Sequence, residues 1–108
     1  MTKVHNSSGN IFEDIGFSSE ESASLKIKSD LAFLINRIIK QRHLSQKEAR
    51  QILDATQADI SKLANGKIAG FSIERLSRYL TRLDRDFIIT VKKKPSSRNA
   101  AVAEVRAS

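Results

Sequence analysis

Apolar residues recur at helical spacing along most of the chain and then give way to one short continuous run. Leu31, Leu34, Ile35, Ile38 and Ile39 fall at i, i+3, i+4, i+7 and i+8, one stripe of an α-helix. Ahead of that stripe, Ser18 or Ser19 reads as a cap, and Ser18-x-x-Glu21 fits the reciprocal capping box. Glu20 and Glu21 then sit at the positive end of the helix dipole. A long helix is predicted to about Arg42, with a break near Lys28–Asp30. Ser45-x-x-Glu48 opens a second helix to about Leu53, with Ala49, Ile52 and Leu53 inward. Asp54 and Ala55 make a bend. Thr56-x-x-Asp59 opens a third helix, with Ile60 and Leu63 inward and Gly66 after Asn65 as a left-handed stop. Ser72 caps a fourth, where Phe71 is placed to pack on Leu76 and the inner stripe is Ile73, Leu76, Leu80 and Leu83. A further helical turn is expected over Asn10–Ile15, stopped by Gly16.

Asp84-Arg85-Asp86 ends the helical pattern. Phe87, Ile88, Ile89, Thr90 and Val91 form a β-branched and aromatic run suited to a strand. A lone strand leaves its edges unpaired. The simplest partner is the same strand of a second copy, so antiparallel pairing across residues 86–92 in a homodimer is expected. Packing on its own helices, or pairing with a different protein, are the alternatives. Residues 1–9 are polar and aperiodic and read as a flexible start. Residues 10–93 read as one folded domain carrying the dimer contact, and 94–108 as a disordered basic tail.

Composition narrows the function classes. The chain has 108 residues and no cysteine, which excludes disulfides and thiolate metal sites. His5 and His43 do not make a zinc site, so no metal and no cofactor are expected. No apolar run reaches the roughly 20 residues of a membrane span. Met1–Asn10 has no hydrophobic core segment, so a cytoplasmic protein is expected, associated with the nucleoid through DNA. Net charge is +7 and unevenly placed: residues 1–24 carry −3, residues 25–91 carry +6 and residues 92–108 carry +4. A basic middle and end favour a polyanion, because lysine and arginine displace counterions from phosphates. Catalysis has little support: there is no Ser-His-Asp spacing, no phosphate-cradling glycine run and no metal cluster. No catalytic residue is assigned.

The segment Leu44–Lys67, LSQKEARQILDATQADISKLANGK, reads as two short capped helices around a tight bend, a helix-turn-helix arrangement. At 100° per residue, Ala58, Ser61, Lys62 and Asn65 project away from Ile60 and Leu63. Gln57 sits in the first turn. Glutamine can pair with adenine, lysine with guanine, and alanine can touch a thymine methyl. Ser61 can meet a base edge or a phosphate. Asp59 can accept from cytosine, or cap its helix and pair with Lys62; the cap is the preferred reading. Gln46 is placed to bind a phosphate beside the helix amides, with Lys47 next to it. Asn65 and Lys67 can hold the opposite backbone.

The same 24 residues resemble the helix-turn-helix of the lambdoid-repressor superfamily, the XRE family. The resemblance implies a mainly α fold: a lambda-repressor-like helical bundle with a helix-turn-helix, here followed by the terminal β-strand. It implies phosphate binding by Gln46 and a groove-facing set of Thr56, Gln57, Ala58, Asp59, Ser61 and Lys62. Flanking segments over roughly residues 9–93 are similar to small XRE proteins, many of them antitoxins of the HigA kind encoded beside a HigB-like RNA-cleaving toxin. The resemblance thus implies a homodimeric, sequence-specific repressor on a palindromic double-stranded operator, neutralising a toxin. The toxin contact would fall in the acidic segment 10–24 or in the tail. Alternatives are a stand-alone phage or plasmid regulator, and a non-specific nucleic-acid-coating protein. Two positions depart from the family pattern. Asp54 stands where glycine is usual, and Arg50 where alanine is usual. Arg50 is expected to turn its head outward while its stem covers apolar surface.

Overall fold

The computed structural model describes Gly16 and residues 19–107. The expected turn at Asn10–Ile15 and the Ser18 cap lie outside the described residues. Four helices follow: α1 (Ser19–Gln41), α2 (Gln46–Leu53), α3 (Gln57–Ala64) and α4 (Ile73–Arg82). α1 runs unbroken through Lys28–Asp30, which corrects the expected interruption. Across that turn Lys26 Nζ pairs with Asp30 Oδ1 at 2.9 Å, an i,i+4 contact that supports the helix.

The predicted stripes supply the core. Leu31, Ile35 and Ile38 of α1 are buried with Ala49 and Leu53 of α2, Ile60 and Leu63 of α3, and Leu76, Leu80 and Leu83 at α4. Phe71 and Tyr79 join them edge to face, with ring centroids 6.3 Å apart. α1 packs chiefly along α4, while α2 lies against α3 and α4. The bundle therefore buries the inner side of α3, at Ile60 and Leu63, and leaves its outer side exposed. Asn36 Nδ2 adds a polar link, donating to the Leu63 carbonyl at 2.8 Å. The same carbonyl also accepts from Gly66 N, so this bond adds a second donor at the carboxyl end of the helix.

Each helix is closed by nearby residues. Three carboxyl ends share one device: a left-handed residue whose amide donates three positions back, followed by an amide that donates five back. His43 (φ 53°) does this for α1, through His43 N to Lys40 O and Leu44 N to Ile39 O, both 3.1 Å. Gly66 (φ 71°) does it for α3 and Asp84 (φ 63°) for α4. Asp54 (φ 51°, ψ 51°) turns the chain between α2 and α3. The left-handed turn that glycine usually supplies is thus made here by aspartate, a residue that tolerates this backbone better than most.

Among the described residues there is no β-strand, which corrects the expectation for 87–91. A strand exists only against a ladder partner, and within one chain this segment meets none. Phe87 is half-buried against the core, but Ile88, Ile89 and Val91 are 80%, 77% and 91% exposed. Residues 95–107 have neither helix nor strand, and Val105 is half-buried against the helical core. No helix among the described residues is long and apolar enough to cross a membrane.

Candidate nucleic-acid interface

α2 and α3 are held apart by three residues, Asp54 to Thr56, and each begins with a complete capping box. Ser45 Oγ accepts from Glu48 N at 3.1 Å, and Glu48 Oε1 accepts from Ser45 N at 2.9 Å. Thr56 Oγ1 accepts from Asp59 N at 3.1 Å, and Asp59 Oδ2 accepts from Thr56 N at 3.4 Å. These reciprocal bonds satisfy amides that would otherwise be orphaned at each helix start. They also set the first turn of α3, the turn that carries Gln57 and Ala58.

The outer side of α3 presents Gln57, Ala58, Ser61 and Lys62, all exposed, while Ile60 and Leu63 are buried beneath. Gln46 and Lys47 at the start of α2 are exposed, as are Asn65 and Lys67 just beyond α3. This collects the residues singled out from the sequence onto the two helices of the motif. Phe87–Val91 form a separate patch. Two members of the expected groove-facing set are engaged otherwise. Thr56 and Asp59 bond each other, and Asp59 is only 15% exposed because Arg75 Nη2 of α4 reaches it at 2.5 Å. The preferred cap reading of Asp59 is what the geometry presents, but its ionic partner is Arg75 rather than Lys62. Asn65 also turns back on its own helix, donating from Nδ2 to Ser61 O at 2.9 Å and to Ser61 Oγ at 3.3 Å.

Arg75 is the residue that sequence reasoning missed. Its guanidinium lies 4.9 Å from the Phe71 ring centroid and 5.5 Å from that of Tyr79. One cation thus joins a cation–π stack on α4 to the carboxylate that caps α3. The only local signal was a base on the inner edge of α4, which does not reveal a partner sixteen positions away. Arg50 is half-buried, and its Nε is enclosed with no hydrogen-bond partner among the described residues. The family-atypical arginine therefore carries an unsatisfied donor into the helix contact, rather than turning its whole head outward.

These bonds make the motif acid-sensitive. Burial alone would raise the Asp59 pKa, but the Thr56 bonds and Arg75 outweigh it and hold the carboxyl below its ordinary 3.8. The Ser45 amide and hydroxyl hold Glu48 below its ordinary 4.5. A carboxylate whose folded pKa is depressed stabilises above its unfolded value and loses that contribution as pH falls through the folded one. Stability is therefore expected to fall as pH drops below about 4. Asp59→Asn should flatten part of that slope in urea midpoints measured against pH. An unchanged slope would mean that Asp59 is not one of the titrating groups.

The comparisons with known proteins agree with this geometry. Residues 11–92 match the family model of a helix-turn-helix domain. The chain is also similar to a solved structure whose provisional name is XRE family transcriptional regulator. The two are 40% identical, with a TM-score of 0.79, over 82% of this chain and 99% of the other. This chain belongs to the XRE-type helix-turn-helix family. None of the curated proteins compared with it matches.

Proposed function

We propose that this XRE protein is a sequence-specific DNA-binding regulator of transcription that reads the major groove with α3. The observation that carries the reading is the two-sided character of that helix. Ile60 and Leu63 are sunk in the core, while Gln57, Ala58, Ser61 and Lys62 stand exposed with hydrogen-bonding and methyl-contacting groups. Gln46 and Lys47 at the start of α2, and Lys67 just beyond α3, are exposed and suited to phosphates. Asn65 and Asp59 contribute by fixing the helix ends, and Thr56 by its cap. The solved structure named XRE family transcriptional regulator, 40% identical to this chain, supports a regulatory role.

The test begins with selection of a preferred duplex from random DNA at physiological salt. Lys62→Ala is then expected to weaken that duplex by about 1–3 kcal/mol and to relax preference at one base position. Gln46→Ala should weaken all duplexes about equally. Unchanged affinity after Lys62→Ala removes Lys62 from the reading set, and a loss confined to the preferred site reassigns Gln46.

The working form in this reading is a homodimer on a palindromic operator, with half-sites about one helical turn apart. Support comes from Ile88, Ile89 and Val91, three apolar side chains uncovered on a segment without backbone pairing. Packing of these side chains against the same segment of a second copy would cover them. Ile89→Lys is expected to shift the protein to monomer in sedimentation equilibrium. An unchanged mass would place the dimer contact elsewhere. The finer biological reading is an antitoxin that represses its own operon in the cytoplasm and neutralises a HigB-like RNA-cleaving toxin. It is supported by the likeness of the flanking segments to HigA-type proteins. An adjacent reading frame whose product kills cells alone, and is silenced by co-expression of this chain, is the expected result. A harmless neighbour would leave the stand-alone regulator.

A further inference from the structure

Away from the exposed side of α3, the carboxyl end of α2 and one side of α4 enclose an open cleft of about 300 Å³. Its lining is Leu53, Asp54, Arg75, Arg78, Tyr79 and Arg82. Arg75, Arg78 and Arg82 follow one another at about one-turn spacing, which aligns three guanidinium groups along a single side of α4. Against them stand the exposed Asp54 carboxylate and Asp59, which already holds Arg75. The cleft keeps a positive surplus, and Arg78 and Arg82 are exposed within reach of solvent ions.

The second observation is the Tyr79 hydroxyl. Tyr79 is 2% exposed, and its oxygen is buried near the Arg75 guanidinium but makes no hydrogen bond of regular geometry among the described residues. Buried hydroxyls are nearly always satisfied, so one without a regular hydrogen bond, in a residue that lines a cleft, calls for a partner. Burial also pushes its pKa above the ordinary value, which keeps the group a protonated donor. An acceptor-only ligand is what a hydroxyl donor and two free guanidinium groups have in common.

We propose that this cleft binds a small phosphate-class anion free in solution, held by Arg78, Arg82 and the Tyr79 hydroxyl. Guanidinium forks suit the paired oxygens of such a group. Arg75 joins the cleft to the cap of α3, because the same guanidinium that lines it also pairs with Asp59. A backbone phosphate of DNA offers the same chemistry, but none of Gln57, Ala58, Ser61 or Lys62 lines the cleft.

The sequence holds a single tyrosine and no tryptophan, so intrinsic fluorescence of the full chain reports on Tyr79 alone. Titration of the protein with pyrophosphate, without DNA, should change that emission saturably, beyond any effect of sodium chloride at matched ionic strength. Arg78→Gln with Arg82→Gln should weaken the binding about tenfold or more, as expected for two charge-assisted bonds. Both positions are exposed, and circular dichroism verifies the fold. Lys92→Gln with Lys93→Gln should leave it unchanged. Calorimetry on Tyr79→Phe should show weaker pyrophosphate binding, since only the hydroxyl is removed. No saturable change, an equal change with chloride, or full retention in the double arginine variant overturns the proposal. A change seen only when duplex is present assigns the cleft to a backbone phosphate and overturns it too. Because the titration needs no DNA, its failure leaves the reading of α3 untouched, and failure of that reading leaves the titration interpretable.

Discussion

Replacing Leu76 by alanine is expected to destabilise the bundle by about 2–5 kcal/mol, the range for removing a buried leucine side chain where the walls cannot collapse. Leu76 is 0% exposed and lies on α4, the helix that packs against both α1 and α2. It belongs to the same buried cluster as the Phe71–Tyr79 pair. A domain of this size has roughly 5–15 kcal/mol in all. The melting temperature should therefore fall by 10 °C or more, on the order of 4–8 °C per kcal/mol. Urea denaturation at constant slope gives the free energy directly. A change under about 1 kcal/mol would mean that the site relaxes and that Leu76 is not a keystone of the core.

Arg75→Glu is the second large expected effect. It removes the cation that faces Asp59 and brings a second carboxylate toward it. It also ends the stacking on Phe71 and Tyr79. Breaking a buried ion pair by removing one partner costs about 3–5 kcal/mol. Arg75 is 33% exposed, and solvent screening brings the expectation to the lower end, about 3 kcal/mol. The diagnostic is the pairing: Asp59→Asn introduced on top of Arg75→Glu should recover part of the loss, because the repulsion is gone while the Thr56 cap can persist. If the two substitutions add independently, the contact is incidental and α3 is held by its apolar side alone.

Much of this architecture was legible because it is written locally. Ser45, Thr56 and Ser72 announced three helix starts, and each side chain does accept from the amide three residues on. Gly66 announced a helix end by the same local logic. The stripes of α1 and α4 told which sides would be buried, since helical period is a property of neighbouring residues. What could not be read is what joins distant positions. The Arg75–Asp59 pair and the Asn36 bond to Leu63 span sixteen and twenty-seven residues, and nothing in either neighbourhood names the other. His43 was hidden for a different reason: a left-handed histidine looks like any other until the amides around it are placed. The run at 87–91 was misread as a strand from composition, whereas pairing depends on a partner that one chain does not contain.

The exposed side of α3 was legible only in part. Period alone separated Ser61 and Lys62 from Ile60 and Leu63. Whether a polar group is available or already engaged is a matter of tertiary neighbours. Asn65 was expected to hold the DNA backbone and instead bonds its own helix, while Asp59, read by preference as a cap, is also held by a base sixteen residues away.

Closing each helix with residues from its own neighbourhood keeps most native interactions short in sequence. Chains organised this way complete their conformational search within microseconds to milliseconds, because little loop entropy must be overcome before contacts form. Folding of this chain, ahead of any assembly with a second copy, is therefore expected on that timescale.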